Sequence, residues 1–156
     1  TGGDAGSSGG GAGPAGGGCP APWVQVQLAS GLLVDAADLY DGAQVAAIRE
    51  QDGQPTVGTL RDVQTIWRQR VALILEDGSA PEFSRGHRVA TVSRGWVEVQ
   101  DLRPGDLLVA QQEARVRGVR PAGLGQVVSF RVEGAGTYFA GGILHHNAKA
   151  NPDIIT

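Results

Sequence analysis

Three consecutive residues near the end of the chain, His145-His146-Asn147, stand directly before Ala148 and combine the parts of a self-cleavage reaction. An asparagine carboxamide nitrogen can attack its own backbone carbonyl, closing a succinimide and expelling the amine of the next residue. That amine leaves poorly unless a general acid protonates it, and histidine is the side chain whose ordinary pKa suits the task near neutral pH. On this reading Asn147 cyclises and the Asn147–Ala148 bond breaks, with His145 or His146 at hand as proton donor. The competing reading is an inert His-His-Asn at the surface end of a strand, which would prevail for an isolated tripeptide.

The chain holds one cysteine, Cys19, preceded by Gly18. Its thiol can attack the Gly18 carbonyl and turn the Gly18–Cys19 amide into a thioester, an approach that glycine leaves unhindered. The shift runs uphill unless the amide is strained or its nitrogen protonated, so it needs an imidazole nearby. Only one further histidine exists, His87, in Phe83-Ser84-Arg85-Gly86-His87-Arg88-Val89 at the start of a predicted strand. It can donate to the Cys19 nitrogen while Ser84 hydrogen-bonds in the same turn. Taken singly, a lone cysteine is more often a buried inert thiol, and a strand histidine a structural group. Jointly, the sole cysteine, all three histidines and an asparagine fall where one self-cleaving design requires them. No CxxC or HxxxH spacing is present, so neither a metal nor another cofactor is expected.

Cys19 and Asn147 are 128 positions apart, and only a fold can bring them together. At 156 residues the chain has room for one domain with a real core. It contains no methionine, from which we expect a piece cut from a longer chain. Residues 1–18 hold ten glycines and no large apolar side chain, so they cannot offset the entropy of being ordered and read as a flexible leader. Residues 148–156 read as an unstructured tail. The formal charge of −3, with scattered arginines and no basic face, argues against nucleic acid as the main partner. No apolar run reaches the length of a membrane-spanning helix, and no membrane partner is expected.

Between the two ends, short apolar runs punctuated by Gly, Pro, Asp and Ser give the pattern of an all-β domain over 19–147. Strands are predicted at 23–28, 31–35, 43–49, 56–59, 70–76, 87–92, 95–99, 106–110, 126–132, 136–140 and 142–146. Asp77-Gly78 is a hairpin-turn signal. The stretch 60–69 is undecided between a helical turn and an irregular strand, and 121–125 reads as a loop. At an offset of 63 residues the chain repeats itself: Ser30 to Val45 falls on Ser93 to Leu108 without a gap, sharing Asp-Leu-x-x-Gly-x-x-(Val/Leu). A strand, a tight turn and a glycine free to take positive φ make one unit, so two halves related by an approximate two-fold axis are expected. Chance likeness between two β-turns is the alternative.

Taken together, these features resemble the Hint superfamily of inteins and hedgehog-type autoprocessing domains, most closely the bacterial intein-like domains. The resemblance spans Cys19 to Asn147. Cys19 matches the family's first-residue nucleophile, and Ser84-Arg85-Gly86-His87 its Thr-x-x-His motif. Gly95-Trp96-Val97 through Asp106 resembles the strand and turn after that histidine, and Tyr138 to Asn147 the C-terminal motifs. It implies a horseshoe-shaped all-β Hint fold with internal pseudo-two-fold symmetry. The chain departs from the family in three places: Ser129 stands where many inteins have aspartate, Gly136 and Thr137 where they often have histidine, and Ala148 where splicing inteins carry Cys, Ser or Thr.

The resemblance thus implies a single-turnover autoprocessing domain of 19–147 between extein-like flanks, 1–18 and 148–156. Its partners are its own flanking polypeptides, with an external thiol, amine or water as acyl acceptor, and a monomer is expected. Cleavage at both junctions should dominate, with joining of the flanks only if the freed Ala148 amine attacks the thioester. Two other readings stand beside it: a non-catalytic β binding module on a Gly-rich stalk, and a Cys-His peptidase acting in trans through Cys19 and His87.

Overall fold

The computed structural model describes residues 19–147, which form eleven antiparallel strands in one open sheet, with no α-helix among the described residues. In chain order they are β1 (Gln25–Gln27), β2 (Leu33–Asp35), β3 (Gln44–Ile48), β4 (Pro55–Leu75), β5 (Glu82–Ser84) and β6 (Arg88–Thr91). There follow β7 (Gly95–Glu98), β8 (Leu107–Leu108), β9 (Ala114–Glu133), β10 (Thr137–Ala140) and β11 (Ile143–His146). The order across the sheet is β2-β1-β10-β11-β6-β8-β9-β4-β3, with β5 on β4 and β7 on β6. The predicted leader 1–18 and tail 148–156, with Gly18 and Ala148, lie outside the described residues.

One open choice is decided and one expectation gives way. Residues 60–69 form an irregular strand rather than a helical turn, with a bulge at Asp62 and Val63, whereas 121–125 are not a loop. Both belong to the long pair β4 and β9, which runs from Val116 opposite Leu75 to Glu133 opposite Thr59. Most of Arg61–Gln69 is exposed, so no apolar alternation marks it, and ladder pairing rather than burial makes it a strand. Pro121 and Gly123 flank a register shift in β9, where a bulge tolerates a residue with no N–H and another at φ +84°. The predicted strands 56–59 and 70–76 are therefore the two ends of β4, and 126–132 is the far half of β9. Residues 82–84, not predicted as a strand, pair with β4 after the expected Asp77-Gly78 turn, in which Gly78 takes φ +94°.

The 63-residue repeat is visible in the backbone. Two short 3₁₀ turns, Ala36–Asp38 and Val99–Asp101, follow β2 and β7 at that offset. Each is closed by a leucine in extended conformation, Leu39 and Leu102, and then by a glycine, Gly42 and Gly105, both at φ +93°. Gly42 N–H donates to the Leu60 carbonyl and Gly105 N–H to that of Val116, each at 2.8 Å. Ala36 and Val99, both fully buried, turn each unit's apolar side into the common core.

That core contains Val26, Val45, Leu60, Leu73, Phe130 and Ile143, none of them exposed. Burying each such side chain contributes roughly 1.5–3 kcal/mol. Both ends of the described chain are fastened to β9. Val128 N–H donates to the Pro20 carbonyl at 2.8 Å, and the Asn147 side chain reaches Phe130, two residues further on. Two residues of strand span about 7 Å, so the fold brings Cys19 and Asn147 into one neighbourhood.

Candidate active site

Cys19 is buried at the head of the domain, its carbonyl accepting from Ser84 N–H at 3.0 Å in β5. The following turn is closed by His87 N–H to the Ser84 carbonyl, also 3.0 Å, so Ser84 joins the cysteine and the histidine through its main chain. The turn delivers His87, fully buried, against the first amide: Cys19 N–H donates to His87 Nδ1 at 3.0 Å. On its other side, His87 Nε2 and His145 Nδ1 are hydrogen-bond partners. His145 Nε2 lies 2.8 Å from the Ala140 carbonyl, which can only accept.

These contacts determine both tautomers. The Ala140 carbonyl requires the proton on His145 Nε2, so His145 Nδ1 accepts from His87 Nε2–H, and His87 Nδ1 accepts from the Cys19 amide. A continuous hydrogen-bonded line therefore runs from the Cys19 nitrogen through two imidazoles to a backbone carbonyl. Burial lowers the His145 pKa to about 3, against a smaller upward pull from the bond to Ala140, so that ring is neutral near pH 7. Phe83 stacks on His87 at 5.2 Å and 10°, and Tyr138 on His145 at 5.2 Å and 18°. The Tyr138 hydroxyl lies 3.5 Å from His87 Nε2, and its pKa is raised well above the ordinary value by burial and then by Cys19.

Asn147, also fully buried, is held by two hydrogen bonds, one to the turn between β9 and β10 and one to β9. Its N–H donates to the Gly136 carbonyl at 2.8 Å, and its Nδ2 to the Phe130 carbonyl at 2.7 Å. Phe130 is available because the β4–β9 ladder skips it: Ser129 pairs with Gln64 and Arg131 with Arg61. The resulting bulge places Asp62 at φ +57°, and the Asp41 carboxylate accepts from the N–H groups of Asp62 and Val63 at 3.2 and 2.9 Å. Asn147 Oδ1 is buried with no hydrogen-bond partner among the described residues. Nδ2, the atom that would attack, is thus anchored while the oxygen is not.

Searches among solved structures find the same architecture. The DnaB intein from Synechocystis sp. PCC 6803 superposes with a TM-score of 0.72 at 21% identity, covering 83% of this chain and 98% of the intein. The bacterial intein-like domain from Clostridium thermocellum gives 0.73 at 20% identity over 83% and 98% of the two chains. The gp41-1 intein gives 0.69 at 20% identity over 84% and 99%. The chain has the Hint fold of inteins. No sequence-family model matches it, and no curated protein matches it in sequence, so the three-dimensional likeness carries the assignment of this Hint fold.

Within the Hint fold the predicted residues are not all placed alike. Cys19, His87 and His145 form one connected group, and Asn147 lies on the neighbouring stretch of β9. His146 faces away from that group: it is half-buried, edge-on to Trp96 at 4.8 Å and 65°, with Nε2 3.7 Å from Glu50 Oε2. Its pKa is lowered, mainly by burial, with Glu50 raising and Arg88 lowering it. At two of the three departures from the family, Gly136 supplies a carbonyl to Asn147, Thr137 bonds both backbone groups of Ile48 in β3, and Ser129 is buried in β9; the third, Ala148, lies outside the described residues. Tyr138 and Phe83 escaped sequence reasoning because a core aromatic and an aromatic beside a reacting group look the same in a sequence. The Phe130 carbonyl had no signal at all. Among the described residues, no group of three or more His, Cys, Asp or Glu could hold a metal ion.

Proposed function

We propose that this Hint domain is a single-turnover self-processing domain that breaks the bonds on either side of itself. The observation that supports it most is the hydrogen bond from the Cys19 amide to His87 Nδ1, backed by His145. In the first step the Cys19 sulfur attacks the Gly18 carbonyl carbon, a C–S bond forms and the C–N bond breaks. The proton given up by the thiol passes through His87 Nδ1 to the departing Cys19 nitrogen. His145 keeps Nε2 of His87 occupied, so the ring exchanges protons only on the side of the scissile bond. Water, a thiol or another amine then takes the leader from the thioester.

In the second step Asn147 Nδ2 attacks its own carbonyl carbon, loses a proton as the succinimide closes, and the Ala148 nitrogen gains one as it leaves. The Phe130 carbonyl holds Nδ2, which removes part of the entropic cost of the attack. His146 is the nearest side chain in sequence able to protonate the leaving amine. Ala148 has no nucleophilic side chain, so cleavage dominates and joining of the flanks requires the freed Ala148 amine to attack the thioester directly.

The test is a chain tagged at both ends and followed by mass with and without dithiothreitol. Autoprocessing predicts thiol-stimulated loss of the leader, abolished by Cys19→Ala, and a separate loss of the tail, abolished by Asn147→Ala. An intact chain under every condition would mark a binding module instead. Cutting of the Cys19→Ala chain by added wild type would mark a peptidase acting in trans.

A further inference from the structure

The cluster around His146 lies on the opposite face of β11 from the Cys19 group and has no part in the chemistry described for the first bond. Glu50, in the turn after β3, accepts a hydrogen bond from Trp96 Nε1 at 3.0 Å and so is itself held in place from β7. Its second neighbour is His146, whose Nε2 lies 3.7 Å from the same carboxylate oxygen. The Trp96 ring meets the imidazole edge-on at 4.8 Å. With Nε2 drawn toward Glu50, Nδ1 must face the other way. That atom is buried and has no hydrogen-bond partner among the described residues.

We propose that Glu50 is a positioning residue for the C-terminal junction, holding His146 by Nε2 so that Nδ1 is presented, with its proton, to the Asn147–Ala148 bond. The inference rests on the reading of His146 as proton donor at that bond. A carboxylate beside Nε2 does two things that the donor needs. It selects which nitrogen faces the protein interior, and it favours the imidazolium over the neutral ring. The charges acting on His146 from the packed elements are Glu50, after β3, and Arg88, on β6, and they pull in opposite directions. Trp96 on β7 contributes a neutral donor that secures Glu50. Since Glu50 and Arg88 oppose one another, removing each should move the second cleavage in opposite senses, which a merely structural role for either would not do.

The experiment has two arms on the full chain. In the first, Glu50→Gln, Glu50→Asp and Arg88→Gln chains are followed for tail loss across the pH range in which imidazole titrates. Glu50→Gln should slow tail loss about tenfold at neutral pH and shift its pH profile about one unit toward acid, since a pKa lower by one unit leaves tenfold less imidazolium. Glu50→Asp should restore most of the rate, and Arg88→Gln should shift the profile the other way. In the second arm, the His146 ring is titrated by NMR in Asn147→Ala chains, which cannot cyclise, with and without Glu50→Gln. The midpoint should fall by the same unit. A rate lowered equally at every pH with an unmoved His146 midpoint would overturn the proposal. If His146→Ala loses its tail as fast as the parent, the donor role of His146 fails instead, and the titration still reports whether Glu50 governs the ring.

Discussion

At the scale of single residues the proposed first step depends on two hydrogen-bonded imidazoles, His87 and His145, each held in one orientation. His145 sits between His87 and a carbonyl in a fully buried position, and its depressed pKa follows from desolvation. His145→Leu should leave His87 Nε2 without its acceptor. Losing a buried hydrogen bond of this kind costs about 1–3 kcal/mol, so thiol-stimulated leader loss should slow about tenfold or more, measured as the rate of mass change in excess dithiothreitol. His87→Ala removes the proposed proton carrier and should slow the same step by roughly 10²–10⁴. The buried ring also carries a stability consequence. Between about pH 3, where folded His145 titrates, and about 6.5, where the unfolded chain does, the unfolded state binds the extra proton. Stability from His145 is therefore complete above that range and is lost as pH falls through it, by at most about 1.4 kcal/mol per pH unit. Urea unfolding of His145→Leu should show a shallower loss of stability in acid than the parent.

At the scale of elements, what places Asn147 is a defect in a ladder. The bulge at Asp62 and Val63 excuses Phe130 from pairing with β4 and turns its carbonyl over to the asparagine. Asp41, in the first of the two repeated turns, holds the bulge by two backbone N–H groups. Asp41→Ala should cost about 1–2 kcal/mol by denaturant unfolding and slow tail loss more than leader loss. A second element depends on close approach: a Cβ at Gly58 in β4 would lie 2.3 Å from Cγ1 of the fully buried Val132 in β9. Val132 is β-branched and cannot swing aside, so Gly58→Ala should destabilise by about 1–3 kcal/mol, read as a lower midpoint in urea at unchanged slope. Gly42 and Gly105 are a matched pair at φ +93°. Their equivalence under the 63-residue repeat was legible in advance because a turn that needs positive φ selects glycine locally, whatever surrounds it.

At the scale of the whole molecule, two repeated turn units are joined through the long β4–β9 pair, and β9 fastens both ends of the described chain, at Pro20 and Asn147. The short strands, the Asp77-Gly78 turn and the duplicated unit could be read from the chain because each is a local matter of alternation or turn chemistry. The identities Cys19, His87, His145, His146 and Asn147 were equally legible, since few side chains can perform the chemistry that their types suggest. The middle of β4 and the Pro121–Gly125 stretch were not, because those segments become strands only through each other and bury too little to show a period. Nor did the chain disclose that His145 and His146, adjacent in sequence, lie on opposite faces. Alternation along a strand separates neighbours, but which face meets His87 and which meets Glu50 is settled only when β11 is laid between β10 and β6. Residue types and turns are properties of a few neighbouring positions and survive in one dimension. Partners such as the Phe130 carbonyl, the Glu50 carboxylate and the Cys19 amide are separated by long stretches of chain, and only the packed sheet decides that they meet.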